Sequence, residues 1–172
     1  MSQKGFRYLV DAIELLTRNP SSNLTPVVVA CGGGGFVREE RKAIQARGLA
    51  DSFRFIPFVT DVGPSLLGVD VVAIPSLWEA CPLLPMEALA CGVPVIGSDC
   101  LGLREILQDT PATVVPAGSA AALAQAIREH AASTDRSRVA RSFAPIARDR
   151  FDSRKTTEQL ESLLWSRFER SH

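Results

Sequence analysis

The chain has 172 residues, 46% apolar and 22% charged, and its 19 basic residues balance 19 acidic ones. A single domain of that size buries a core without needing disulfides or a metal. Zero net charge argues against nonspecific nucleic-acid binding, which needs excess positive charge. No signal-peptide pattern and no apolar stretch long enough for a bilayer is seen, which predicts a cytoplasmic location.

In chain order, Phe6, Leu9, Val10, Ile13, Leu15 and Leu16 recur at helical spacing over 6–18. Asn19-Pro20-Ser21-Ser22-Asn23 breaks that helix. A buried strand over 26–31, the run Gly32-Gly33-Gly34-Gly35 and a charged helix over 36–48 follow. Next come a strand over 53–58, a short helix over 62–67 and a strand over 69–75. A helix over 83–91, a strand over 93–98, a short helix over 102–107 and a strand over 112–116 continue the pattern. An Ala-rich helix over 119–132 and two more, over 136–149 and 154–169, complete it. This alternation predicts an α/β fold. The expected architecture is a Rossmann-like parallel sheet with helices on both faces, in one domain spanning 1–172.

Cys31, Cys81, Cys91 and Cys100 form no C-x-x-C pair and have no His near them in sequence. They are expected to be reduced thiols and not a metal set. Cys81 and Cys91 lie within the most informative stretch, Ser76 to Ile96, and Cys100 just after it, so Cys81 is a candidate pocket-lining residue. That stretch sets Glu79 and Glu87 across a loop-to-helix junction, between two apolar strands. In an open α/β sheet, ligands bind beyond the carboxyl ends of the strands, so both acids fall where a ligand would sit. The glycine run at 32–35 permits close ligand approach. It fails as a dinucleotide fingerprint, because Val37 stands where the last Gly or Ala belongs. His130 and His172 lie in the terminal helices, and neither a Ser/His/Asp triad nor a His/Cys metal set is visible.

Pro75, Ser76, Glu79, Pro82, Leu83, Glu87, Ala88, Ala90, Gly92, Pro94, Val95 and Ile96 stand in register with a known pattern. The stretch resembles the E-x7-E motif of the family 4 retaining glycosyltransferases of the GT-B fold (glycosyl transferases group 1). Gln3-Lys4-Gly5-Phe6 is similar to that family's Lys-Gly element at the head of a helix. Ser98 to Ile106 resembles its S/T-D-x-G-G-x-x-E-I element, with Leu101 in place of the first Gly. Ala112-Thr113 replaces the usual Gly-x-L-V opening of the last strand. Phe151-Asp152 and the helix ending in Leu163-Leu164-Trp165 resemble the family's closing helix.

The resemblance implies the C-terminal, donor-binding half of a two-domain enzyme. The family's strand ending in Gly-Arg, ahead of the Lys-Gly element, has no counterpart in these residues, so the chain is expected to be a fragment. That strand would lie at the centre of a 3-2-1-4-5-6 sheet. Either another segment fills its place, or the strands at 26–31 and 69–75 pair directly.

By the same resemblance, Lys4 meets the donor diphosphate, Glu79 takes hydrogen bonds from sugar hydroxyls, and Glu87 binds the ribose diol with its two oxygens. Pro82 suits the first helical turn. The backbone N–H groups of Leu83 and Leu84 would then face phosphate oxygens, aided by the helix dipole. Ala80 and Cys81 would border the sugar, with Gly33, Phe58 and Val59 near the base. The implied function is transfer of a hexose, with retention, from a UDP- or GDP-linked donor in polysaccharide or glycoconjugate biosynthesis. No cofactor or metal is implied, and no D-x-D is present. The implied partner is an N-terminal acceptor-binding domain, through which alone any peripheral membrane association would arise. The alternatives are a non-catalytic nucleotide-sugar-binding remnant and a nucleotide-sugar epimerase of similar fold.

Overall fold

The structure, a computed structural model, describes residues 2–19, 24–33 and 35–169. The predicted alternation holds within a few residues at each end. After a 3-10 turn at Ser2–Lys4, the order is α1 (Phe6–Thr17), β1 (Val28–Cys31), α2 (Gly35–Ala46), β2 (Phe53–Ile56), α3 (Gly63–Leu67) and β3 (Val72–Ile74). Then come α4 (Leu84–Ala90), β4 (Val95–Ser98), α5 (Leu103–Leu107), β5 (Thr113–Val115), α6 (Ala120–Ala131), α7 (Asp135–Arg150) and α8 (Ser153–Glu169). Pro20 to Asn23 of the predicted breaker and Gly34 of the glycine run lie outside the described residues. No described helix is long and apolar enough to cross a membrane.

All strand pairing is parallel, but it is divided between two sheets. β1 pairs with β2, Val28 opposite Phe53. β4 lies between β3 and β5, with Val72 opposite Val95 and Ile96 opposite Thr113. The direct pairing of the strands at 26–31 and 69–75 is therefore corrected. β1 and β3 belong to different sheets, and no described strand joins them. Apolar packing joins the two sheets in place of a hydrogen-bond ladder. Leu9, Val10, Ile13 and Leu16 of α1 and Leu123 and Ile127 of α6 share one core with Phe53 of β2, Ile96 of β4 and Val115 of β5. Val28, Phe55, Val71 and Ala73 pack against that core from both sheets.

A second core covers the other face of the three-stranded sheet. It gathers Leu66 of α3, Val72 and Ile74 of β3, Leu89 of α4, Val95 of β4, Leu103 and Leu107 of α5 and Ala147 of α7. With helices on both faces, all four residues of β4 are buried, as a central parallel strand requires. Two arginines of α7 tie it to the helices that follow β3 and β4. Arg148 Nε donates to the Ala90 carbonyl at the end of α4, 2.8 Å, and Arg150 donates to the Gln108 carbonyl just past α5, 2.8 Å. Such side chains satisfy carbonyls that a helix end leaves without intrahelical partners.

Candidate functional site

Three chain segments converge at the carboxyl ends of β3 and β4: residues 2–5 ahead of α1, 75–80 after β3, and 98–102 after β4. Backbone bonds lace them together. Leu77 N donates to the Gln3 carbonyl (2.7 Å) and Glu79 N to the Leu101 carbonyl (3.1 Å). Two glycines make this approach possible. Gly5 (φ +64°) and Gly102 (φ +79°) take left-handed backbone angles, which a side chain disfavours. A Cβ at Gly5 would be driven into the Pro75 carbonyl, and one at Gly102 into the Glu79 carbonyl. At the departure, Leu101 lends its carbonyl to Glu79 N and leaves its side chain exposed to solvent.

The convergence brings Lys4 onto Glu79 across 75 positions of sequence. Lys4 Nζ donates to both carboxylate oxygens, 2.9 Å to Oε1 and 2.7 Å to Oε2. Glu79 is 7% exposed and Lys4 50% exposed. Beneath them, Ser76 Oγ donates to Glu79 Oε1 at 2.6 Å, and Ser98 Oγ donates to the Ser76 carbonyl. Both serines are 1% exposed. A buried carboxylate must be paired and hydrogen-bonded to be tolerated, and here it is both. An ammonium has three donors. Among the described residues Glu79 takes two of them, and no other acceptor takes the third.

The helix carrying the second acid starts later than the sequence predicts. α4 begins at Leu84 with Leu83 as its cap residue, so the proline of its first turn is Pro85, and Pro82 precedes the helix. Pro82 and Pro85 both fit an early helical position, since neither needs an N–H there. The tertiary structure selects the second. The Leu84 N–H is one of the orphan donors of a helix start, whereas Pro85 has none to offer. Glu87 lies one turn in, exposed to solvent. No hydrogen bond or ion pair among the described residues engages its carboxylate. Glu79 and Glu87 thus sit in opposite environments, one buried and paired, the other open. Ala80, Cys81, Leu83 and Leu84 are exposed between them in sequence. All four cysteines are free, and Cys100 is buried.

A cleft of about 660 Å³ opens where β1 and β2 end, lined by Gly32, Gly33, Val37, Arg38, Arg41 and Phe58 among others. It unites Gly33 with Phe58, which is 79% exposed. Val59 is half-buried beside it. Lys4, Glu79 and Glu87 do not line it. Sequence reasoning missed the cleft's two cations. The Arg41 guanidinium stands 4.8 Å from the centre of the Phe55 ring, a cation–π distance. The signal for them was the charged face of the helix at 36–48, which is indistinguishable in sequence from an ordinary solvated face.

Residues 1–147 match the family described as Glycosyl transferases group 1. The chain belongs to that family. It is 36% identical over 141 residues to the 2-deoxystreptamine N-acetyl-D-glucosaminyltransferase of Streptomyces fradiae, covering 79% of this chain and 33% of that protein. It is also 36% identical over 106 residues to the D-inositol 3-phosphate glycosyltransferase of Jonesia denitrificans, covering 58% of this chain and 25% of that one. Among solved structures, Anabaena HepE in complex with UDP superposes with a TM-score of 0.83 at 25% identity, covering 96% of this chain and 46% of that one. Sucrose-phosphate synthase from Thermosynechococcus elongatus gives 0.80 at 26% identity, covering 98% and 43%. The fold is the Rossmann-like α/β arrangement of these GT-B neighbours. The chain spans about a third of the first relative's length and under half of either structure's.

Proposed function

We propose that this chain is the donor-binding half of a retaining hexosyltransferase, holding a nucleoside diphosphate sugar across the carboxyl ends of its strands. The observation that carries this reading is the paired Lys4, half-exposed beside a buried Glu79 that takes two of its donors, with no acceptor for the third among the described residues. A departing nucleoside diphosphate is an anion, and a pre-aimed cation stabilises it best where charge develops. Glu87 is an open carboxylate whose two oxygens suit the vicinal diol of a ribose. The cleft with Gly33, Phe58, Arg38 and Arg41 offers an apolar shelf and cations for the base end. Transfer itself needs an acceptor surface, which in this reading comes from the remainder of the relatives' length. The epimerase and remnant alternatives are not favoured, since the relatives are named glycosyltransferases.

UDP is the first donor nucleotide to try, because a neighbour at a TM-score of 0.83 is a UDP complex. Calorimetry with UDP, GDP and ADP tests the reading. Binding of one nucleotide, weakened about tenfold or more by Glu87→Ala as expected for lost hydrogen bonds to a charged group, supports it. Failure of all three to bind contradicts it.

A further inference from the structure

Glu79, the first acid of the motif, has a carboxylate that is already committed. It accepts two bonds from Lys4 and one from Ser76. Of the roughly four lone-pair sites of a carboxylate, three are taken. Its backbone is fixed as well, with Glu79 N on the Leu101 carbonyl and the Glu79 carbonyl abutting Gly102. Below it, the Ser98 hydroxyl holds the Ser76 carbonyl, so the last residue of β4 fixes the loop that follows β3. No buried side-chain polar atom among the described residues lacks a partner. The chain Ser98, Ser76, Glu79, Lys4 runs from the sheet interior to solvent, and each member fixes the next.

We propose that Ser76 and Ser98 are positioning residues for Lys4, acting through Glu79, so that the ammonium is pinned by two of its donors with the third aimed outward at a phosphate. This assigns Glu79 an orienting role toward the lysine ahead of any contact with sugar. It deepens the donor-site reading and rests on it. A lysine stem has four rotatable bonds and loses rotamer freedom when fixed. Pinning it before the ligand arrives removes that loss from the binding step.

The chain's lysines make a direct test possible, for Lys42 and Lys155 are the only others. The probe is acetyl N-hydroxysuccinimide ester at fixed pH without nucleotide, with acetylation of each lysine read by peptide mass. In the unaltered chain Lys4 is expected to react more slowly than Lys42. Ser76→Ala removes the hydroxyl that steadies the carboxylate and should raise the Lys4-to-Lys42 rate ratio about threefold or more. An unchanged ratio in a folded Ser76→Ala chain overturns the proposal. Should that variant lose its cooperative unfolding transition, Ser76→Cys, nearly isosteric with a much weaker donor, is read in the same way. The second arm compares affinity for UDP with affinity for uridine. The variant should lose about tenfold in the UDP-to-uridine ratio with uridine affinity intact, whereas general loosening of the fold lowers both. If the unaltered chain binds no nucleotide, the donor-site reading fails, and the acetylation arm still decides whether the serines position Lys4.

Discussion

Two polar clusters, one rooted in buried serines and one half-buried, differ in what they leave open. At the carboxyl end of β4, Ser98, Ser76, Glu79 and Lys4 form a chain that surfaces at a half-exposed ammonium with a donor to spare. At the opposite, amino end of β5, Thr113 Oγ1 lies 3.1 Å from His130 Nε2 and accepts from Arg136 at 2.6 Å, while Arg136 also pairs with Glu129 at 3.2 Å. This second cluster joins β5, α6 and α7 and closes on itself. In a parallel sheet all strand ends of one kind gather on one edge. The carboxyl edge receives the loops that meet ligands, and the amino edge carries connections that only have to hold. Under the proposed function the first cluster serves a ligand, while the second braces β5, α6 and α7.

The sharpest way to break the contrast is Gly102→Ala. A side chain there needs φ near +79° and would meet the Glu79 carbonyl. It should cost about 3 kcal/mol in chemical denaturation, and UDP binding should fall by more than tenfold. A stable variant with normal affinity would mean that the three segments need not converge.

Arg136→Ala attacks the other edge. It removes donors from Thr113 and Glu129 and should lower stability by about 1–2 kcal/mol, with UDP affinity unchanged within about twofold. A loss of affinity there would erase the distinction between the edges.

A smaller effect should appear with pH. Burial, together with the Arg136 guanidinium, pushes His130 down from its ordinary 6.5 to about 4, against a weaker opposing pull from Glu129. The unfolded chain then binds a proton that the folded chain refuses. This contribution is fully present above pH 6.5 and is lost as pH falls from about 6.5 toward 4. The thermal midpoint should decline across that window, and His130→Gln should flatten the decline. Asp152, held near 2 by its bonds from Arg154, titrates below that window and should not mask the effect. Equal slopes in both proteins would remove His130 from the account.

The elements were legible because each carries its own local pattern. The six apolar positions of 6–18 draw α1, and the runs at 69–75 and 93–98 draw β3 and β4. What local pattern does not carry is distance. Lys4 and Glu79 are 75 positions apart, and only a resemblance to a known family could bring them to one site from sequence. Ser76 and Ser98 stood inside recognised motifs, yet as small polar residues near strand ends they gave no sign that one holds the other's loop. The start of α4 was misplaced because Pro82 and Pro85 satisfy the same local rule, and packing decides between them. The break between β1 and β3 was half-read: the central place was expected to matter, but not that apolar contacts under α1 would join the two sheets without a ladder. His130 reads from sequence as one residue of a terminal helix, and only the fold gives it a half-buried place beside Thr113 and Arg136, which makes it part of the brace.

The central claim is that Lys4 points a free donor at the diphosphate of the donor nucleotide. Acetylation of the unaltered chain with and without saturating UDP, read at Lys4, Lys42 and Lys155, tests it most directly. UDP should slow acetylation of Lys4 by about tenfold or more and leave Lys42 and Lys155 unaffected, and uridine should protect none of them. Equal Lys4 rates with and without bound UDP would contradict the claim.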